Sequence, residues 1–285
     1  MGMNYGIGSN FAKMKINEFS KILNFSFKNK VKYIDTASSY GESEKLIGKH
    51  LTQKKYRNYF KVISKIDKIR FIPKKLIYNH IEKQINNSLK NLNLSQLYAI
   101  LLHDINDLNS NKINEIFKSL IKLKKKGLVK KIGFSAYSTK HLIKYIKKYK
   151  FDVVQFPFNV FDQRILDKKI QNFLRKKKIE VHIRSIFLQG LLLLPQKKIQ
   201  KKFFAYSPKL SLWFENLKKY DVNPINVCLS FILKYKFFSK IVIGFDDFNQ
   251  FEYVIKNYLV KKNKRININF ANLKTSSKLI NPSKW

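Results

Sequence analysis

Continuous apolar runs alternate along this chain with longer stretches in which apolar positions recur at helical spacing. The pattern reads as buried strands alternating with amphipathic helices. Residues 17–27 place Phe19, Ile22, Leu23 and Phe27 on one helical face. A short run at Tyr33 and Ile34 then delivers Asp35 at a strand end, and a helix follows with Ser43 as its N-cap. Glu44 falls in its first turn, where the dipole favours a carboxylate, and Leu46, Ile47 and Leu51 form its apolar side. Strand 60–64 ends at Lys65. Pro73 suits the first turn of a long helix striped by Leu76, Ile77, Ile81, Ile85, Leu89 and Leu92. Strand 97–102 ends at His103, and the helix bearing Ile113, Ile116, Phe117, Leu120 and Ile121 closes at Gly127.

The alternation persists to the C-terminus. Strands are expected at 129–135, 153–156, 181–185 and 240–243, with helices at 139–148, 167–177, 210–220, after Pro224 and at 248–256. Strands separated by helices of this length are joined by crossovers and run parallel, so the expected fold is a (β/α)8 TIM barrel, one strand short of the full eight. No linker rich in Pro, Gly or Ser interrupts residues 1–285, and no internal repeat is visible, so a single domain is expected. The polar tail over 272–285 is expected to be only partly ordered.

Composition adjusts this picture only at its edges. With 285 residues and 45% apolar content the chain can fill one large core. The net charge of +40 raises the possibility of a polyanion partner. Against it, almost all the basic residues are Lys, scattered over every helix, while Arg is confined to Arg57, Arg70, Arg164, Arg175, Arg184 and Arg265. Phosphate and base recognition favour the Arg fork. Excess Asn, Ile and Phe, whose codons are rich in A and T, point instead to the base composition of the gene. No specific nucleic-acid partner is expected. Cys228 is the lone cysteine, in an apolar helix face, and reads as a buried structural thiol compatible with a reducing compartment. No apolar run reaches the roughly 20 residues of a membrane span, and no signal peptide opens the chain, so a cytoplasmic location is expected.

Candidate chemistry sits at the strand ends. Tyr40 and Asp35 share the loop of YIDTASSYGESEKLIGKHL, residues 33–51, and Lys65 and His103 close the next strands. Strand C-termini of a parallel barrel converge on one face, so residues distant in sequence can meet there. Each also has a plain reading, as turn cap, loop aromatic or strand-end polar group. The other histidines, His50, His80, His141 and His182, fall inside helices or strands and receive no role. No metal site is expected.

The stretch from Asp35 to Glu44 resembles the signature D-T-A-x-x-Y-G-x-S-E of the aldo-keto reductases, and VIS-Lys65 and AILL-His103 match the lysine and histidine that follow it. The resemblance implies a catalytic tetrad of Asp35, Tyr40, Lys65 and His103. Tyr40 would protonate the alkoxide formed as a nicotinamide delivers hydride to an aldehyde, ketone or sugar carbonyl. Lys65 would favour the phenolate, Asp35 would hold the ammonium, and His103 would orient the carbonyl or help relay the proton. Family members usually carry a Gly-rich first strand before a segment like GMNYGIGSN, so the first strand is expected to be missing or truncated.

The same resemblance implies a cofactor site. KKGLVKKIGFSAYS supplies Ser135 for the carboxamide, with Ala136 where an asparagine is usual, and DVVQFPFNVFDQR supplies Gln155. VHIRSIFLQGLLL offers Ser185, Phe187, Gln189 and Gly190 around the pyrophosphate, with Arg184, able to stack or to pair with phosphate, where many relatives carry an aromatic that stacks on the nicotinamide, and IVIGFDDFNQFEYVI offers Gly244, Asp246 and Gln250 on the adenosine side. NADPH is the commoner cofactor of the family. Asp246 and Asp247 would repel a 2′-phosphate and leave NADH open, unless both simply cap the following helix. Asp162, Arg164 and residues 203–213 are candidates for the substrate pocket. The start and the RSIFLQGLL segment resemble a bacterial branch that accompanies sugar or polysaccharide genes. The expected partner is a small carbonyl substrate, and the protein a monomer or small homo-oligomer. A nicotinamide-binding sensor or partner subunit of the same fold is the alternative, and a Lys-rich polyanion binder a further one.

Overall fold

The computed structural model describes residues 16–285 except 57, 68, 109–110, 261–267, 276–277 and 283–284. The expectations for residues 1–10 and a shortened first strand lie outside the described residues. The elements are α1 (Ile16–Lys28), β1 (Tyr33–Asp35), α2 (Ser43–Leu51), β2 (Lys61–Ile66), α3 (Ile77–Leu92), β3 (Leu97–Leu102), α4 (Ile113–Lys125), β4 (Val129–Ser135) and α5 (Thr139–Lys148). They continue as β5 (Val153–Pro157), α6 (Lys168–Lys176), β6 (Glu180–Arg184), α7 (Ser207–Lys219), α8 (Pro224–Leu233), β7 (Lys240–Ile241) and α9 (Phe248–Val260). Among the described residues, seven strands form one sheet in sequence order, and β1 to β5 are parallel neighbour to neighbour. This is the strand order of a (β/α)8 barrel.

The described residues group into two compact units, 16–156 with 172–182 and 157–171 with 183–285. In the first, Ile63, Ala99, Leu101 and Val153 form an apolar cluster on which Tyr33 and Tyr98 pack. At the start of the strands Glu180 accepts hydrogen bonds from the Tyr98 hydroxyl and from Lys131. Burial and that carboxylate together push the Tyr98 phenol well above its ordinary range. The stripe Ile77, Ile81, Ile85, Leu89 and Leu92 of α3 is buried as its spacing predicts.

Two local expectations fail at helix starts. Pro73 is extended and precedes a 3-10 turn, Lys74–Leu76, rather than opening α3, which swings Leu76 off the apolar stripe to 45% exposure. Ser43 does not cap α2: Glu42 holds the cap position without a side-chain bond, and the buried Ser43 hydroxyl pairs with Thr36 Oγ1 at 2.9 Å. Glu44 is also buried, accepting from Ser64 Oγ at 2.6 Å and Asn91 Nδ2 at 3.4 Å. Helices α2 and α3 touch at Gly48, where a Cβ would lie 2.0 Å from Asn91 O.

In the second unit, Phe231 of α8 stacks on Phe158 at 4.9 Å and meets Phe270 at 4.7 Å, while Trp213 of α7 is fully buried. Cys228 is buried in α8, and burial pushes its thiol up, as befits an inert structural cysteine. Strand β7 is shorter than the 240–243 expected, and α9 runs on to Val260. Several of the described residues of the tail are packed. Leu279 and Ile280 are buried, and the Trp285 ring lies 5.0 Å from Phe203, its indole N–H donating to Leu279 O at 3.1 Å. Its apolar residues are too few to show a period, yet they suffice to dock.

Candidate active site

The first unit assembles the tetrad from three consecutive strand ends. The loop after β1 is tied to β2 by Thr36 N donating to Ile63 O at 2.9 Å and by Ser38 Oγ donating to Lys65 O at 3.1 Å. A turn closed by Tyr40 N on Ala37 O at 3.0 Å then lifts Tyr40, and left-handed Gly41 (φ 56°) leads into α2. His103 is held at the end of β3 by its N–H on Ile66 O, 2.9 Å away. The strand register therefore decides which side chains converge.

Lys65 is the centre of the cluster. Its side chain is 2% exposed, and its ammonium is paired with Asp35 Oδ1 and donates to Thr36 O at 2.8 Å. The ammonium also lies 5.0 Å from the centroid of the Tyr40 ring, within cation–π range. The Tyr40 ring also meets the His103 imidazole edge to face at 5.7 Å. A buried cation clamped by a carboxylate, facing a phenol that an imidazole also touches, is an arrangement able to shift a proton.

Gln155 joins this cluster from β5. Its Nε2 donates to Asp35 Oδ2 at 2.8 Å, across 120 positions of sequence, so Asp35 is held on one oxygen by the cation and on the other by the amide. Across the β4–β5 register Gln155 pairs with Ser135. Among the described residues the Gln155 carbonyl oxygen and the Ser135 hydroxyl make no hydrogen bond, which leaves an acceptor and a hydroxyl side by side, fitting a primary carboxamide. Ala136 is buried beside them, its N–H donating to Gln155 O at 2.9 Å.

The remaining cofactor candidates belong to the second unit. Arg184 Nη1 donates to Ser185 Oγ at 3.3 Å. Ser185, Leu188, Gln189 and Gly190 all have positive φ, and turns close from Leu188 N to Ser185 O and from Gly190 N to Phe187 O. Left-handed backbone at bulky residues such as Leu188 costs free energy and gathers where a chain must approach a ligand closely. Near α9 the paired aspartates part company. Asp247 Oδ1 accepts from Gln250 N at 2.8 Å and so caps the helix, whereas Asp246 engages Gln250 only through its backbone N–H, leaving its carboxylate out of the cap. Gly244 is exposed, and a Cβ there would meet nothing within 4 Å. Asp162 is buried and grips Arg164 with two hydrogen bonds, 2.8 and 2.7 Å.

One site residue was not foreseen. Asp67 Oδ1 lies 2.6 Å from His103 Nδ1. It follows Lys65 by two positions, so the alternation of an extended strand puts both on one side, a signal available in the sequence. Burial works against ionisation of Asp67, but hydrogen bonds from His103 and Ser39 and the charges of His103 and Lys65 outweigh it and hold the carboxyl below its ordinary value. The loops carrying these groups are stapled by Arg70, whose Nη1 meets Asp104 Oδ2 at 2.5 Å and whose N–H donates to Asp107 Oδ1 at 3.0 Å. Among the other histidines, His50 is structural, bonded to Ser20 Oγ at 2.8 Å and Leu46 O at 2.9 Å. Among the described residues no helix is long and apolar enough to cross a membrane, and no group of three or more His, Cys, Asp or Glu could hold a metal ion.

Comparison with known proteins bears on family and fold. The sequence profile of the Aldo/keto reductase family matches residues 2–267. D-arabinose 1-dehydrogenase of Saccharomyces cerevisiae is 28% identical over 119 residues, a match covering 41% of this chain and 36% of the yeast protein. The chain thus spans about a third of that relative's length. Among solved structures, an aldo-keto reductase from Bacillus halodurans superposes in its apo form with a TM-score of 0.71, at 15% identity, over 96% of this chain and 92% of the other. Its holo form gives 0.68 at 16% identity, covering 98% and 90%. At such identity the superposition establishes the fold alone.

Proposed function

Because the chain belongs to the aldo/keto reductase family, we propose that it is a nicotinamide-dependent oxidoreductase that reduces an aldehyde, ketone or sugar carbonyl, with Tyr40 as the proton donor. The observation that carries this reading is the Lys65 ammonium, buried, clamped by Asp35 and facing the Tyr40 ring at 5.0 Å. A cation so placed stabilises the phenolate left when the phenol gives up its proton, and the clamp spares the site any reorganisation during the reaction. His103, in edge contact with the same ring, takes part in moving that proton. The hydride is what a nicotinamide supplies when bound.

Ser135 and Gln155 are the residues of the first unit that would hold the carboxamide, and their uncommitted hydroxyl and carbonyl support that role. For the second unit the same reading assigns phosphate-facing roles to Arg184, Ser185, Phe187, Gln189 and Gly190, with Gly244, Asp246 and Gln250 on the adenosine side. The carboxylate of Asp246, unlike that of Asp247, is not spent on the helix cap, which favours ribose hydroxyls over a 2′-phosphate and hence NADH as a competent cofactor.

The test is a fluorescence titration with NADH and NADPH, coupled to turnover of a generic aldehyde such as 4-nitrobenzaldehyde. Tyr40→Phe should bind either nucleotide as the unaltered chain does and lose turnover by at least about 100-fold, the usual worth of a general acid. Turnover that survives the substitution removes Tyr40 from the chemistry. Nucleotide binding with no turnover in the unaltered chain would favour a sensor instead.

A further inference from the structure

The tetrad and the groups that would hold the carboxamide meet at one carboxylate. Oδ1 of Asp35 is paired with the Lys65 ammonium, and its Oδ2 accepts from Gln155 Nε2 at 2.8 Å. Gln155 is 1% exposed, so its amide has no bulk water with which to trade partners. A carboxylate only accepts hydrogen bonds, so the end of the Gln155 amide that faces Asp35 must be the NH2 end. The carbonyl oxygen of the same amide is therefore turned from Asp35, and it makes no hydrogen bond among the described residues. The register of β4 and β5 sets Gln155 beside Ser135, and the residue after Ser135 is the buried Ala136, whose methyl group offers no polar atom.

We propose that Asp35 is a positioning residue for the cofactor as well as the partner of Lys65: it locks the Gln155 amide with its carbonyl oxygen free to accept from the NH2 of the nicotinamide carboxamide. The inference rests on the nicotinamide-dependent reading and deepens it. The two ends of a carboxamide are nearly the same size, so shape alone does not choose between them, whereas a fixed acceptor does. That acceptor is fixed in turn by a charge. Lys65 occupies one oxygen of Asp35 and leaves the other for Gln155. An asparagine in place of Asp35 reverses the choice. Its oxygen goes to the Lys65 ammonium, its NH2 is left facing Gln155, and the Gln155 amide must turn over to accept from it. The NH2 of Gln155 then faces the NH2 of the carboxamide, donor against donor.

The tie is visible without nucleotide. In the full chain labelled with 15N-glutamine, the side-chain amide pair missing from Gln155→Met should show one proton shifted downfield by the carboxylate, and Asp35→Asn should return it to the ordinary position. The consequence is read from the dissociation constants of NADH and of its reduced 3-acetylpyridine analogue, in which a methyl group replaces the carboxamide NH2, both by tryptophan quenching. The unaltered chain should prefer NADH by at least about fivefold, because the analogue leaves a buried acceptor unsatisfied. Asp35→Asn should weaken NADH by about that factor and move the analogue by less than about twofold, so that the preference disappears. Gln155→Met, which leaves the Lys65 pair intact, should remove the preference as well; should Asp35→Asn not fold, this variant and the downfield proton decide. Equal affinities in the unaltered chain overturn the inference, as does a preference that survives Asp35→Asn. So does an equal loss for both nucleotides, which is what a general disturbance of the fold would give. A chain that binds neither nucleotide fails the reductase reading itself, and this role of Asp35 with it, whereas one that binds both alike and still reduces 4-nitrobenzaldehyde fails this inference alone.

Discussion

Replacing Lys65 by Met tests the centre of the site, because it removes one charge of a buried pair and little else. Lys65 is 2% exposed and Asp35 14%. Methionine fills most of the lysine volume without an ammonium, so the cost is electrostatic rather than a cavity. Breaking a buried ion pair from one side typically costs about 3–5 kcal/mol, because the other charge is left uncompensated. Here Asp35 keeps the amide of Gln155 on Oδ2, and Thr36 O loses a donor it had at 2.8 Å. The first effect lowers the cost and the second raises it, which leaves a loss of about 3 kcal/mol. With a urea slope near 3 kcal/mol per M, the unfolding midpoint should fall by about 1 M. Asp35→Asn alone should also destabilise, and the double variant should recover much of the loss, because neither buried charge then remains. Unfolding followed by tryptophan fluorescence and circular dichroism on the four proteins gives the coupling directly. A Lys65→Met midpoint equal to that of the unaltered chain, or single effects that simply add, would refute the view of Lys65 and Asp35 as one buried unit. Aldehyde turnover should be lost in Lys65→Met in either case, because the charge facing Tyr40 is gone.

Two further expectations concern the scaffold. Gly48→Ala puts a methyl group 2.0 Å from Asn91 O and 2.8 Å from Leu92 Cα, both backbone, so α2 and α3 must part; a loss of about 1–3 kcal/mol in urea unfolding is expected, and an unchanged midpoint would mean the helices separate freely. Acid should weaken the fold through Asp67 and Asp104. Against their burial, hydrogen bonds from His103 and Ser39 hold Asp67, and from Asn106 and Arg70 hold Asp104, below the ordinary 3.8. The native state then binds fewer protons than the unfolded one. Their stabilisation is accordingly complete above that value and lost as pH falls through the lower native ones. Stability measured between about pH 5 and pH 2 should drop less steeply in Asp67→Asn/Asp104→Asn than in the unaltered chain, and an equal slope would show that neither carboxyl contributes.

The sequence by itself determined the order and kind of the elements and the strand ends at which the tetrad stands. Apolar period is a local property: Ile77, Ile81, Ile85, Leu89 and Leu92 bury one face because a helix returns every 3.6 residues, and no knowledge of the partner is needed. For the same reason Val129–Ser135 and Thr139–Lys148 occur where the pattern puts them. Capping was less legible, since the hydroxyl of Ser43 had a competing partner in Thr36 that only the closed loop brings within 2.9 Å. The packing of Trp285 was not legible, because the ring that receives it lies elsewhere in the chain, at Phe203.

Only the tertiary structure decided which polar atoms face one another. Asp67 reaches His103 because parallel pairing sets β2 beside β3 in a register that matches Lys65 with Leu101 and Ile66 with Leu102, and Gln155 of β5 reaches Asp35 of β1 across 120 positions, between strands that are not neighbours in the sheet. A hydrogen bond has a range of about 3 Å, so a shift of one residue in that register would send every one of these side chains to the other side of the strand. Residue types and their strand-end positions are written locally, whereas the partner of each buried charge is a property of strand adjacency.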